Sequence, residues 1–280
     1  MKDTYQVITD RILEKLEEGT IPWHKPWSGG GAPVNLVSKK EYRGINVFML
    51  GCNGHESPYW LTYRQAKAKG GHVKKGERGT PVVFWKAFDG KEADAEGNAK
   101  KYFVLRHYTV FNVTQCEGVD YPKPENEDEE RTFDPIENCT TVVDEMPKSP
   151  PITHGEPRAY YRPGTDTVNM PKPETFDGSE EYYSTLFHEL AHSTGHESRT
   201  GRHGQGGCDH SFGSQSYSRE ELVAEFSAAF LCGHCSIENS TIDNSASYID
   251  GWSRKLRNKP KMLIQAAAQA QKAVDFVLGK

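Results

Sequence analysis

The chain has no apolar run long enough to span a bilayer. The longest stretches, such as Pro81–Trp85, are only a few residues, and Met262–Ala270 is interrupted by Gln265 and Gln269. The amino terminus, MKDTYQVITDRILEKLEEG, has no apolar signal core and no small-residue cleavage site, so a cytoplasmic protein with no membrane partner is expected. Cysteine is sparse, with six residues in 280, and nothing in the sequence suggests export, so free thiols are expected rather than a disulfide framework. No internal repeat is visible. The hydrophobic share of 35% is enough for one large domain or two ordinary ones.

Net charge is also low, at −5, but it is unevenly spread. Residues 1–120 hold 18 Lys/Arg against 14 Asp/Glu, a balance of +4; residues 121–280 hold 16 against 25, a balance of −9. Within Lys39–Lys86 there are ten basic and three acidic residues. Such a stretch points to a polyanion partner; a solvated basic face is the other reading. From Asp120 to Glu145 the chain carries ten acidic and two basic residues, with prolines at 122 and 124. This marks an exposed acidic linker. The expected division is a small α+β domain over 1–124, a linker over 125–150 and a second domain over 151–280, giving an α+β fold class.

Local patterns fill in both parts. Tyr5, Ile8, Ile12, Leu13 and Leu16 form one helical stripe that Gly19 stops. Helices are expected around Tyr42–Leu50 and Trp60–Lys69, and strands over Thr80–Phe88 and Lys101–Asn112 around the polar turn DGKEADAEGNA. In the second part a strand pair flanks the turn Pro163-Gly164-Thr165-Asp166. Helices are expected over Ser179–Thr194, capped by Ser179, from Ser218 to Leu231, capped by Ser218, and over Lys261–Leu278.

The segment Thr185-Leu-Phe-His-Glu-Leu-Ala-His-Ser carries the chemistry. His188 and His192 are four residues apart, one helical turn, so both imidazoles face the same side and can share a Zn²⁺ ion. Glu189 then stands where a general base is needed, since zinc lowers the pKa of water enough for a carboxylate to take its proton. A catalytic zinc needs a third protein ligand and an open position. The helix SREELVAEFSAAFL supplies Glu221 and Glu225 on one face among apolar neighbours, where carboxylates are costly unless bound. Glu221 is the expected ligand and Glu225 the acceptor for a ligand histidine's N–H, or the reverse. Glu220 is expected to point elsewhere. His196 is a candidate substrate or transition-state contact, with ligation as its alternative. Mn²⁺ or Co²⁺ suits the same donors. Tyr160, Tyr161 and Tyr217 are unranked oxyanion donors. Cys232 and Cys235 read as structural, and His203, Cys208 and His210 fall in a Gly-rich loop.

In the first part, aromatic residues alternate with basic ones, the combination on which single strands stack and neutralise. The candidate DNA-binding residues are Trp23, Lys25, Trp27, Lys39, Lys40, Tyr42, Arg43, Tyr63, Arg64, Lys67, Lys74 and Lys75. Phe84, Trp85 and Phe88 are expected in the core.

The order of motifs resembles the ArdC-like antirestriction proteins: EEGTIPWHKPW, Pro33, Asn35, YRGINVFML, SPYWLTYRQA and GGHVKKGERGTPVVFWK, then FHELAHSTGH and SREELVAEFSAAFLC. The resemblance implies an amino-terminal single-stranded DNA-binding domain, a carboxy-terminal zincin-like metallopeptidase domain and protection of incoming mobile DNA from restriction. A protein substrate from the restriction system, or one bound to DNA, would follow. A non-enzymatic DNA shield with a structural or vestigial metal site is the alternative.

Overall fold

In a computed structural model, the described residues are 3–24, 31–93, 99–123, 135–204, 215–239 and 245–280. Lys25, Trp27, Cys208 and His210, and the side chain of Tyr217, lie outside them.

The first part begins with α1 (Thr4–Glu17), whose Asp3 cap accepts from Tyr5 N and whose stripe Ile8, Ile12, Leu13 and Leu16 is buried as the sequence predicts. Then follow β1 (Val34–Asn35), α2 (Ile45–Gly51), β2 (Tyr59–Leu61), α3 (Tyr63–Ala68), β3 (His72–Val73), β4 (Thr80–Ala93), β5 (Ala99–Asn112) and β6 (Cys116–Glu117). One sheet has the order β1-β2-β5-β4, and β3 pairs with β6. The helix expected over Trp60–Lys69 divides in two. Trp60 and Leu61 pair with Asn112 and Phe111 as strand residues, and α3 starts only after Thr62, which exchanges capping-box bonds with Gln65 (2.8 and 3.2 Å).

The second part contains α4 (Pro135–Asp144), β7 (Ile152–Thr153), β8 (Tyr160–Arg162), β9 (Thr167–Asn169), α5 (Ser179–Ser193), α6 (Gln215–Cys235), α7 (Ala246–Asn258) and α8 (Pro260–Val277). Among the described residues the sheet order β7-β9-β8 leaves β8 with one unpaired edge. The caps differ from expectation: Gly178 precedes α5, and α6 starts at Gln215, so Ser218 lies inside it. The helix α7, capped by the Ser245 side chain, was not expected.

The stretch expected as an acidic linker is described from residue 135 onward, and there it is not a linker. Its acids face outward, but Cys139, Val142 and Met146 are buried in the core with α5 and α6. The first part is also not packed by itself. The stripe of α1 lies in the core that includes Trp252 and Leu256 of α7 and Leu263, Ala266 and Ala267 of α8, and Thr9 Oγ1 donates to the Pro260 carbonyl at 2.9 Å. Phe48 of α2 stacks on Phe230 of α6 with ring centroids 4.7 Å apart. These contacts fix α6 from both sides and with it the carboxylates on its exposed turn.

Candidate metal centre

Two packed helices build the site. On α5, Leu186, Phe187, Leu190 and Ala191 are buried, which turns His188, Glu189 and His192 toward a cleft of about 390 Å³. On α6, Leu222, Val223 and Phe226 are buried, which brings Glu220 and Glu221 to the same cleft. His188 Nε2 and His192 Nε2 are 3.2 Å apart. Glu221 reaches them with its two oxygens, Oε2 at 3.6 Å from His188 Nε2 and Oε1 at 3.7 Å from His192 Nε2. In a tetrahedral site with bonds of ~2.1 Å, neighbouring donor atoms stand about 3.4 Å apart. One donor atom from each of His188, His192 and Glu221 lies within 4.8 Å of the other two, a cluster able to hold a divalent cation such as Zn²⁺, with the cleft beside it. Burial disfavours a charged His188, but Glu221, Glu189 and Glu225 outweigh it and hold its pKa above the usual imidazole value.

Glu220, expected to point away, is the acceptor that faces His192. Its Oε1 lies 3.4 Å from His192 Nδ1, 3.2 Å from His203 Nε2 and 2.6 Å from Arg202 Nη2. Burial works against its charge, yet the hydrogen bonds from Arg202, His192 and His203 hold the carboxyl far below the usual carboxylate range. Arg202 also donates to the Ala191 carbonyl and to Thr194 Oγ1, both at 2.7 Å, and so ties the carboxylate to the end of α5. His203 closes over Gly195, where a Cβ would fall 2.1 Å from its Nε2. Only glycine admits that approach. The sequence hid this group because Glu220 is adjacent to Glu221 in the chain, and Arg202 and His203 precede a Gly-rich stretch that reads as loop.

Glu225 has other partners than a ligand histidine. Its Oε2 accepts the Trp23 indole N–H at 3.0 Å and the Tyr248 hydroxyl. Burial pushes its pKa up to about 7, against the pull of those donors. Trp23, expected on a DNA-binding loop, is fully buried against Phe226 and Trp252. Tyr42, another candidate, is buried, and its hydroxyl accepts from Asn35 Nδ2 at 3.2 Å. Arg43 is paired with Asp275, and Lys74 donates to the Thr114 carbonyl at 2.9 Å. Lys74 is half-buried, whereas Lys39, Lys40, Tyr63, Arg64, Lys67 and Lys75 are exposed.

His196 turns its Nδ1 to Ser198 Oγ at 2.8 Å and is not among the residues lining the cleft. Tyr160 and Tyr161 of β8 do line it. The Tyr161 hydroxyl, however, donates to Asp166 Oδ1 at 2.8 Å, and Asp166 is gripped by both terminal nitrogens of Arg199 at 2.7 and 3.0 Å. That bidentate pair pins the β8–β9 turn to the Ser193 carbonyl at the end of α5 (3.1 Å). Cys232, Cys235 and Cys139 are buried free thiols, as expected.

A His-x-x-x-His turn with its glutamate, joined by a carboxylate from the next helix, defines a zincin-like metallopeptidase domain, and residues 146–269 match the family model of that description. Residues 2–111 match the model for the N-terminal domain of anti-restriction factor ArdC. The chain belongs to the ArdC antirestriction family. The antirestriction ArdC protein from the R388 plasmid is similar over 99% of this chain and 97% of its own in a metal-free crystal structure, with TM-score 0.76 and 38% identity. Its Mn(II)-bound structure gives 0.75 and 37%, over 99% and 98%. The uncharacterized protein y4eC of Sinorhizobium fredii is 35% identical over 98% of this chain and 91% of its own. A DNA primase TraC of Escherichia coli is 36% identical over 99% of this chain, which spans only 27% of that primase's length; a second TraC is 35% identical, and the chain spans 20% of it. No described helix is long and apolar enough to cross a membrane.

Proposed function

We propose that the chain is a zinc peptidase that works on or beside single-stranded DNA, with His188, His192 and Glu221 holding the metal and Glu189 as general base. The observation that carries this reading is the cluster of donor atoms from His188, His192 and Glu221, all within 4.8 Å of one another and beside a cleft that Glu189 also lines. A zinc ion bound there supplies Lewis acidity, polarising a carbonyl and acidifying water. Glu189 takes the proton of the attacking water and returns it to the leaving amine. Glu220, backed by Arg202, keeps His192 Nδ1 protonated and Nε2 free for the metal. The unpaired edge of β8 lies along the cleft through Tyr160 and Tyr161, which supports an extended peptide added as a further strand.

A relative solved both without metal and with Mn(II) matches this chain almost equally, which supports an ion loaded into a formed site rather than one needed for folding. Mn²⁺ and Co²⁺ suit the same N₂O donor set. The amino-terminal part binds single-stranded DNA and brings the peptidase to proteins on that DNA, restriction proteins among them. Glu189→Gln is expected to keep stoichiometric zinc and abolish cleavage of casein or a peptide library. Turnover that survives in this variant, with zinc bound, sinks the mechanism. A variant that protects DNA from restriction as well as wild type assigns the biological role to binding alone.

A further inference from the structure

Strands β4 and β5 are far longer than the sheet that holds them. The pairing between β2 and β5 stops at Trp60↔Asn112 and Leu61↔Phe111, while β4 and β5 pair from Thr80↔Val110 out to Ala93↔Ala99. Beyond its base the hairpin is a two-stranded ribbon. Its root is anchored: Val82 and Val110 are buried with Tyr42, Leu50 and Trp60, and the Asn46 side chain makes two hydrogen bonds with the Val83 backbone, at 2.7 and 2.9 Å.

The ribbon is strongly aromatic. Seven large apolar side chains are exposed among the described residues, and five of them are here: Phe84 (41%), Trp85 (52%), Tyr102 (52%), Phe103 (62%) and Tyr108 (37%). A lone two-stranded ribbon gains little from such residues unless something covers them. In an antiparallel pair, opposite residues share a face and successive ones alternate. One face therefore carries Phe84 opposite Arg106, Lys86 opposite Val104, and Phe88 opposite Tyr102, with Tyr108 next to Phe84. Phe84 and Tyr108 meet edge to face at 5.6 Å, Phe88 stacks on Tyr102 at 5.4 Å, and Lys86 Nζ lies 5.1 Å from the Phe88 ring. The opposite face carries Trp85 and Phe103. Its Val83 and Leu105 pack toward α1, and His107 is held by Thr4 Oγ1 at 3.1 Å. Within Thr80–Phe88 and Tyr102–Asn112 the sequence has Lys86 and Arg106 and no acidic residue.

We infer that this face, Phe84, Lys86, Phe88, Tyr102, Arg106 and Tyr108, is the platform on which single-stranded DNA lies. Two aromatic stations, one at Phe84 and Tyr108 and one at Phe88 and Tyr102, are separated by about 13 Å along the strand. Lys86 and Arg106 stand between them. Unpaired bases stack on the rings and the connecting phosphates meet the cations, a combination tolerant of sequence. Duplex DNA, whose bases already stack on one another, has no use for the rings. The inference rests on the single-strand reading above and moves the contact from Trp23 and Tyr42, which are buried, to a surface whose Phe84 and Phe88 were expected in the core.

The test measures binding of a fluorescein-labelled oligothymidylate to the full chain over a range of salt. The double variant Phe84→Leu with Tyr102→Leu keeps apolar bulk but removes two stacking faces, and is expected to lose roughly tenfold or more in affinity. Tryptophan at the same positions is expected to retain binding. Lys86→Gln with Arg106→Gln is expected to flatten the slope of log affinity against log salt by about 1.4, ~0.7 for each cation. Wild-type protein that fails to bind the oligonucleotide sinks the single-strand reading itself. Wild-type binding that the leucine variant leaves unchanged overturns the placement, and so does a change in oligomeric mass with DNA affinity intact. Photocrosslinking of wild-type protein to bromodeoxyuridine DNA needs no variant to fold. Crosslinked peptides are expected from residues 80–88 or 102–108, and crosslinks confined to other peptides overturn the proposal.

Discussion

The Trp23 indole donates to the Glu225 carboxylate at 3.0 Å, 202 residues away in the chain and one helical turn beyond Glu221. A side chain from the amino-terminal segment thus joins the polar groups behind the candidate metal centre. It is also fully buried against Phe226 and Trp252. Two substitutions separate these roles. Trp23→Ala is expected to cost about 3–5 kcal/mol through loss of packing. Trp23→Phe, which keeps most of the ring and removes the N–H, is expected to cost about 1–3 kcal/mol, since Glu225 retains only Tyr248. Urea unfolding of the metal-free proteins checks both values; a Trp23→Phe variant as stable as wild type would show that the hydrogen bond contributes nothing.

Glu220→Gln tests the acceptor behind His192. The amide keeps the shape, loses the charge that Arg202 and His203 surround, and is expected to weaken zinc binding about 10–100-fold. Competition with a chromogenic chelator measures this directly. Unchanged affinity would leave Glu220 as a partner of Arg202 alone.

Gly195→Ala tests the same group from a distance. The added methyl would meet His203 Nε2 at 2.1 Å, so the ring must leave Glu220. Expected losses are about 1–3 kcal/mol of stability from the steric insertion, together with weaker zinc binding. A crystal structure of the variant with His203 in place would refute the account.

Metal uptake is expected to release protons. In the metal-free protein the pKa of His188 is held above its usual value, and burial pushes that of Glu225 up to about 7. A divalent ion favours neutral His188 and ionised Glu225, so both groups lose protons as it binds. Affinity therefore falls as pH drops through neutrality. Titration calorimetry near pH 7 in two buffers of different ionisation enthalpy is expected to show net release; proton uptake would contradict it.

The ligand helix was legible because its spacing is short-range: His188, Glu189 and His192 lie within two turns, and the apolar residues between them fix which way they face. Glu221 was legible for the same reason. Glu220 was not, since only Arg202, His203 and the bare Gly195 surface decide its orientation, and none of these forms a periodic pattern. Trp23 and Phe84 show the same limit in opposite directions. Both are aromatic residues near basic ones, and local sequence cannot say which is enclosed. Trp23 is enclosed by helices α6 and α7 from the far end of the chain, and Phe84 is exposed because its strand outruns the sheet. The buried face of α4 was concealed by the acids on its outer side.

Because α1 and Trp23 close the core of the carboxy-terminal helices, a fragment cut near residue 125 would expose apolar surface on both pieces. Two regions that match separate family models thus share one hydrophobic core. Both primases match nearly the whole of this shared core, over 99% of the chain, inside much larger proteins.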